Sequence, residues 1–367
     1  MLCLGLGLLA ETVSGRRVPG ALLPALGFAG LVAVGGLVTC FSDLAELTTA
    51  VTVALAAAGF ALAWPLGERL RAIPLWPVVA AVGVFLVFGA PVVFSGEAGF
   101  AGYIKLDDTS TWLAFTDHVL TYGHSTSGLA PSSYEATVQI NLSSGYPLGT
   151  FVPLAVGHEL TGADPAWLFQ PYMAAMAAMM ALVFFELLKR VVPGTGARSA
   201  VVFVAAQPAL LVGYAYWGGV KEVATALLVA LLAAAVTTLV RPGTSSSVRA
   251  LAPAPILAGA ALIGVMGAGG APSLFAIALA AAVLMAVVVK RAAGSPQPVA
   301  PARDLVRVYV TRGLVVVAGV ALIGLPTVFA SGGFFSPDQG PLTSGGELGN
   351  LIEALEPGPV PGPLAGR

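Results

Sequence analysis

"PLWPVVAAVGVFLVFGAPVVFS", Pro74–Ser95, contains no charged side chain. A helix needs about 20 apolar residues to cross the ~30 Å hydrocarbon core of a bilayer. In lipid the backbone must satisfy its own polar groups, so helix is the conformation for such a run, even one rich in Val and Gly. The flanks differ. Before it stands "ERLRAIP", Glu68–Pro74, with two arginines. After it comes "GYIKLDDTSTWLAFTDH", Gly102–His118, where Asp107 and Asp108 stand side by side. One span with a basic entry and an acidic exit sets the reading for the rest of the chain.

Comparable runs recur at Val18–Phe41, Leu47–Trp64, Ala166–Leu188, Ser199–Trp217, Val220–Val240, Leu251–Gly270, Pro272–Val289 and Gly313–Ser331, and Met1–Ala10 is a shorter one. The chain is 57% apolar and 10% charged, with a mean hydropathy of +0.91. Soluble domains carry about 25% charged residues. The expectation is therefore an all-α, polytopic integral membrane protein of nine or ten transmembrane helices. Small residues in "AGAALIGVMGAGG" and "AAMAAMMA" suit close helix packing.

Lys and Arg set the orientation. Arg16, Arg17, Arg69, Arg71, Lys189, Arg190, Arg198, Arg241, Arg249, Lys290, Arg291, Arg303, Arg307 and Arg312 all fall in one set of alternate loops or at its helix ends. Lys105, Lys221 and Arg367 fall in the other. The basic set is read as cytoplasmic. The Asp107–Asp108 stretch is then outside, with most of the carboxylates. The net charge of −1 and the lack of a basic block give no sign of nucleic acid as a partner. Two cysteines, Cys3 and Cys40, make no disulfide framework. The start lacks the basic region of a cleavable signal peptide.

Three regions follow. Residues 1–73 hold N-terminal transmembrane helices. Residues 74–331 form the core, including an outer loop at 96–165. Residues 332–367 are an outer tail, Pro- and Gly-rich and partly disordered by composition. The short first run and this tail suggest part of a longer protein. In the outer loop, Trp112, Phe115, Val119 and Tyr122 recur on one helical face. They predict a short amphipathic helix on the outer membrane surface, aromatic side down, with Asp117 and His118 pointing away and Gly123 as its stop.

The acidic pair invites two readings. An Asp before Thr-Ser-Thr is a good N-cap. That accounts for one aspartate, but the second must be held beside a like charge at a cost, which favours a functional pair. The histidines, His118, His124 and His158, read either as surface residues or, with the nearby carboxylates, as metal ligands. "SSYEATVQINLSSGYPLGTFVP", which contains Tyr146, reads either as an acceptor groove or as a re-entrant or surface loop. Lys221 and Glu222 in "YAYWGGVKE" read either as an interface pair or as part of a site.

An outward loop after a membrane helix, an acidic pair at its start and an amphipathic helix behind it resemble the GT-C superfamily of polytopic glycosyltransferases, and "YAYWGGVKE" adds to the likeness. The chain is also similar to large actinobacterial membrane proteins of that kind, although here extra helices precede the acidic loop. The resemblance implies transfer of a sugar from a polyprenyl-phosphate donor to a glycan or protein acceptor on the extracytoplasmic face of the plasma membrane. It implies Asp107 or Asp108 as general base, with the pair also able to hold a divalent cation, Mg or Mn. It implies Lys105 and Lys221 at the lipid phosphate, with Glu222, His118 and Tyr146 as further substrate contacts. A transporter or a non-catalytic scaffold is the competing expectation.

Overall fold

In a computed structural model, the structure describes residues 1–63, 74–96, 106–239, 247–293 and 302–330. The outer tail and Lys105 lie outside the described residues. Among those described, the chain is helical and contains no strand. The first four helices are α1 Leu2–Ser14, α2 Leu23–Thr39, α3 Thr48–Leu62 and α4 Leu75–Phe88. A short α5, Ala90–Ser95, leads to the loop helices α6 Leu106–Tyr122, α7 Ser133–Ser143 and α8 Phe151–Thr161. Then come α9 Pro165–Leu187, α10 Thr195–Ala205, α11 Ala209–Trp217 and α12 Val220–Leu239. The last are α13 Val248–Leu251, α14 Pro253–Met266, α15 Ala271–Ala293 and α16 Ala302–Ala330.

Every apolar run predicted from the sequence is helical, but fewer helices are long enough to span a membrane. Among the described residues six pass by length and composition, and a seventh passes if α10 and α11 count as one span bent by 55°. The bend falls where Pro208 interrupts the run after Gln207. α1, α4 and α14 are apolar but shorter. An expectation of nine or ten spans counted apolar composition; Gly89 and Gly267 end α4 and α14 before they reach full length.

The core is built around α2, α9, α12 and α14, whose buried side chains, Phe28 and Met176 among them, form one continuous cluster with Phe115 of α6 and Phe151 of α8. α1, α2 and α3 cross closely on glycine. A Cβ on Gly27 would strike the carbonyl of Cys3, and one on Gly59 would strike that of Gly5. α15 and α16 lie outside this core with most of their apolar surface exposed, as suits a lipid-facing position.

The two sets of loops segregate to opposite ends. At the basic end, Arg249 Nε donates to the Val13 carbonyl at 3.2 Å, and Ser199 Oγ donates to the Trp76 carbonyl at 2.9 Å. At the acidic end, the Tyr216 hydroxyl donates to the Val87 carbonyl at 2.8 Å, and Gly149 N–H donates to the Gly264 carbonyl at 3.1 Å. Each contact joins elements that charge counting put on the same side.

The outer loop departs most from expectation. Its amphipathic helix, α6, ends at Gly123 as predicted, with φ +58°. The aromatic face does not point at lipid, however. Phe115 and Val119 are fully buried against protein, because α8 supplies an apolar surface that the pattern of α6 alone could not reveal. Local capping is regular. Ser132 Oγ accepts from Glu135 N–H at the start of α7, and Asp164 Oδ1 accepts from Ala166 N–H at the start of α9.

Candidate functional site

The site is assembled at the acidic end from the first turn of α6, the turn between α7 and α8, and the start of α12. Helix α6 begins at Leu106, so Asp107 and Asp108 lie inside its first turn. A carboxylate at this end of a helix is favoured by the positive end of the dipole. One turn on, Trp112 stacks on Tyr146 with ring centroids 5.1 Å apart and on Phe151 at 5.6 Å. Phe115 packs on Tyr146 and Phe151, at 5.3 Å from each. The Gly-Tyr-Pro turn is thus driven into the bundle; from Tyr146 to Val156 the chain is continuously buried.

Lys221 closes this aromatic floor. Its Nζ lies 3.9 Å from the Tyr146 ring centroid and 5.8 Å from that of Trp112, a cation–π arrangement. Glu222 follows on the same helix. Its Oε2 folds back over Gly219, where a Cβ would come within 2.9 Å, so the second glycine of "WGGVKE" leaves space for the carboxylate. Gly218 supplies the turn with φ +90°. The Tyr146 hydroxyl is held well above its ordinary pKa, first by burial and then by the charges of Glu222 and Asp108. Asp108, Tyr146, Lys221 and Glu222 therefore share one electrostatic neighbourhood, drawn from three separate segments of the chain.

The sequence singled out all four of these residues. It missed Trp112 as part of the lysine's floor; Trp112 was legible only as one member of an apolar stripe. The side chain of Asp107, like the whole of Lys105, lies outside the described residues. His118 is not part of the group. It sits ten residues beyond Asp108 on the same helix, about 15 Å along the axis. Nor does it face outward as expected: it is fully buried, stacked on Tyr122 at 5.0 Å and close to the ring of His124. No well-directed hydrogen bond reaches any ring nitrogen of these two histidines. Burial holds His118 below its ordinary pKa, against opposing pulls from the Ser125 backbone and Asp117, and it holds His124 at about 4. His158 is engaged locally, with Nδ1 2.8 Å from the Ala163 carbonyl oxygen.

Neither a protein-family model, nor a curated protein, nor a solved structure matches this chain. The site is therefore read on its own geometry.

An apolar groove of about 560 Å³ lies between α9, α11 and α12, with Glu222 of this group in its lining. Met180, Phe184, Leu211 and Val229 are among its walls, and its polar lining residues are Tyr214 and Glu222. Glu222, next in sequence to Lys221, is thus the residue that the groove and the group share. Among the described residues, no group of three or more His, Cys, Asp or Glu converges as a metal site would require. Glu222 and Asp108 both favour the charged form of Lys221.

Proposed function

We propose that this chain is a membrane glycosyltransferase of the GT-C kind, moving a sugar from a polyprenyl-phosphate donor onto an acceptor hydroxyl at the acidic end of the bundle. The observation that supports it is the seating of Lys221 on the Tyr146 ring, within the electrostatic reach of Asp108 and Glu222 and beside an apolar groove that Glu222 lines. A donor of this class joins a long apolar chain to a phosphate and a sugar. The groove suits the chain, and Lys221 suits the phosphate.

The step follows from these roles. The acceptor oxygen bonds to the anomeric carbon, the bond from that carbon to the phosphate oxygen breaks, and the phosphate leaves with the electron pair. Asp108 accepts the hydroxyl proton. Lys221 stabilises the departing charge, while Tyr146 beneath it and Glu222 beside it hold the ammonium in place. Asp107 shares the same turn and is the reserve candidate for the base. No step is routed through a metal. In this reading the acidic end is extracytoplasmic, the membrane is the plasma membrane, and the acceptor is a glycan or a protein.

The test is transfer from polyprenyl-phosphate sugars by purified protein in lipid, with matched thermal melts. Asp108→Asn should cut the rate by roughly 10²–10⁴-fold and leave the melt nearly unchanged. Near-normal transfer by that variant removes Asp108 as the base. The bent α10–α11 pair supports a transporter as the second reading, since broken helices line many transport sites. Uptake of a solute into sealed vesicles, without any transfer, would favour it.

A further inference from the structure

A second groove, of about 620 Å³, opens between α12, α14, α15 and α16. It shares no lining residue with the first. Its walls are almost wholly apolar, with Leu232, Ile263, Phe275 and Val317 among them. Its polar end is formed by Tyr309 and Arg312, which are 6% and 4% exposed. Arg312 Nη1 donates to the Leu239 carbonyl at 2.9 Å, and its guanidinium lies 5.8 Å from the centroid of the Tyr309 ring.

The position of Arg312 along the membrane follows from helix length. α16 has 29 residues, about 44 Å at 1.5 Å per residue. That exceeds the ~30 Å hydrocarbon core by roughly nine residues. The uncharged run begins at Gly313, directly after Arg312. Arg312 therefore stands where hydrocarbon gives way to headgroups. Around it at this end are Arg303 and Arg307, both exposed on α16, and Lys290 and Arg291 in the last turn of α15. Asp304 is the one carboxylate in these two helices.

We propose that this groove binds an anionic phospholipid, with acyl chains along the apolar walls and the phosphate at the basic rim. Two features separate it from the general lipid contact of an exposed helix: a concave wall built by four helices, and a cationic excess confined to one end. Basic pockets between membrane helices recognise anionic headgroups for this reason. The inference rests on the chain spanning a membrane and is independent of the transfer reading.

The experiment uses the purified full chain in mild detergent, with phosphatidylglycerol or phosphatidylcholine of matched acyl chains added back. Phosphatidylglycerol should raise the melting temperature by several degrees and remain bound in native mass spectra, whereas phosphatidylcholine should do neither. Gly313→Phe should abolish both effects; Gly313 lines the groove and a Cβ there meets nothing within 4 Å, so the added side chain starts in open space. Arg312→Gln should erase the preference between the two lipids. Equal shifts with both lipids overturn the proposal, and so does a phosphatidylglycerol shift that survives Gly313→Phe. A shift reproduced by inorganic phosphate alone would mean an anion site without a lipid. A dimer abolished by Gly313→Phe would mean that a second copy fills the groove.

Discussion

Arg198 at the basic end and Lys221 at the acidic end each sit in the first turn of a helix, where the positive end of the dipole disfavours a cation. Both are compensated, by different means. Arg198 donates from Nε to the Val192 carbonyl at 2.8 Å and from Nη2 to the Pro193 carbonyl at 2.7 Å, with its guanidinium 4.6 Å from the Phe185 ring centroid. Its hydrogen-bond partners lie five and six residues upstream. The rings of Tyr146 and Trp112 and the charge of Asp108 come to Lys221 from distant parts of the chain. A cation satisfied by its own connecting loop is a structural brace. Lys221 has Glu222 beside it on its own helix, but its ring contacts exist only once remote segments have met, and that is where a site can be built.

Substitution should separate the two. Arg198→Ala removes two charge-assisted hydrogen bonds and strands two carbonyls, so stability should fall by roughly 2–4 kcal/mol. Transfer per folded molecule should hold. Lys221→Met keeps much of the contact with the rings and should lose about 0.5–2 kcal/mol, the scale of a cation–π contact, while donor transfer falls sharply. Denaturant melts and transfer rates measured on the same preparations check both. Equal losses of stability with unchanged transfer in each variant would make Lys221 a second brace and erase the contrast.

The ends also differ in how they titrate, because all three histidines belong to the 96–165 segment. His124 has a folded pKa of about 4, below the ordinary value of 6.5, because burial penalises its charged form and His118 adds to the effect. Between those values the unfolded chain binds the extra proton and the folded chain does not. Stability is therefore fully present above pH 6.5 and is lost as the pH falls. The loss attributable to His124 between pH 6.5 and 5.5 is about 1 kcal/mol, and His118 adds to it in the same direction. Hydrogen-exchange protection in α6, taken relative to the intrinsic rate at each pH, should fall as the pH drops, while that of α10 is unchanged. His124→Asn should flatten the profile; an equally steep profile in that variant would move the titration elsewhere.

Apolar length made the helices legible in the sequence. So did the grouping of their ends, because Lys and Arg mark one set. Span length was less legible, since Gly89 and Gly267 stop helices inside runs that remain apolar. The candidate site could be read as residues but not as a group: the acidic stretch and "GGVKE" each stood out as charge in an apolar chain. That Tyr146 would lie beneath Lys221 required a turn buried by Trp112, Phe115 and Phe151, a contact invisible to periodicity. His118 misled for the same reason. On an isolated amphipathic helix it lies opposite the aromatic face, but α6 is enclosed on both sides.

The smallest expected effect concerns a third acid at the acidic end. Asp117 is exposed, and its Oδ2 accepts from the Tyr134 hydroxyl at 3.0 Å, linking α6 to α7. Burial and then this carboxylate hold the Tyr134 phenol above its ordinary pKa, so the proton stays on the tyrosine. The arrangement is a surface tie, and Asn at position 117 can still accept from the hydroxyl. Asp117→Asn should therefore cost less than about 1 kcal/mol and leave transfer within about twofold, whereas Asp108→Asn, two and a half turns earlier on α6, removes the proposed base. If the acidic end worked through its overall negative charge alone, either substitution would subtract the same unit and lower the rate alike. Comparing the two rates under one set of conditions decides between a placed carboxylate and a diffuse field. A matched fall in both would discard the specific role given to Asp108 and leave Lys221 attracted to a generally acidic surface.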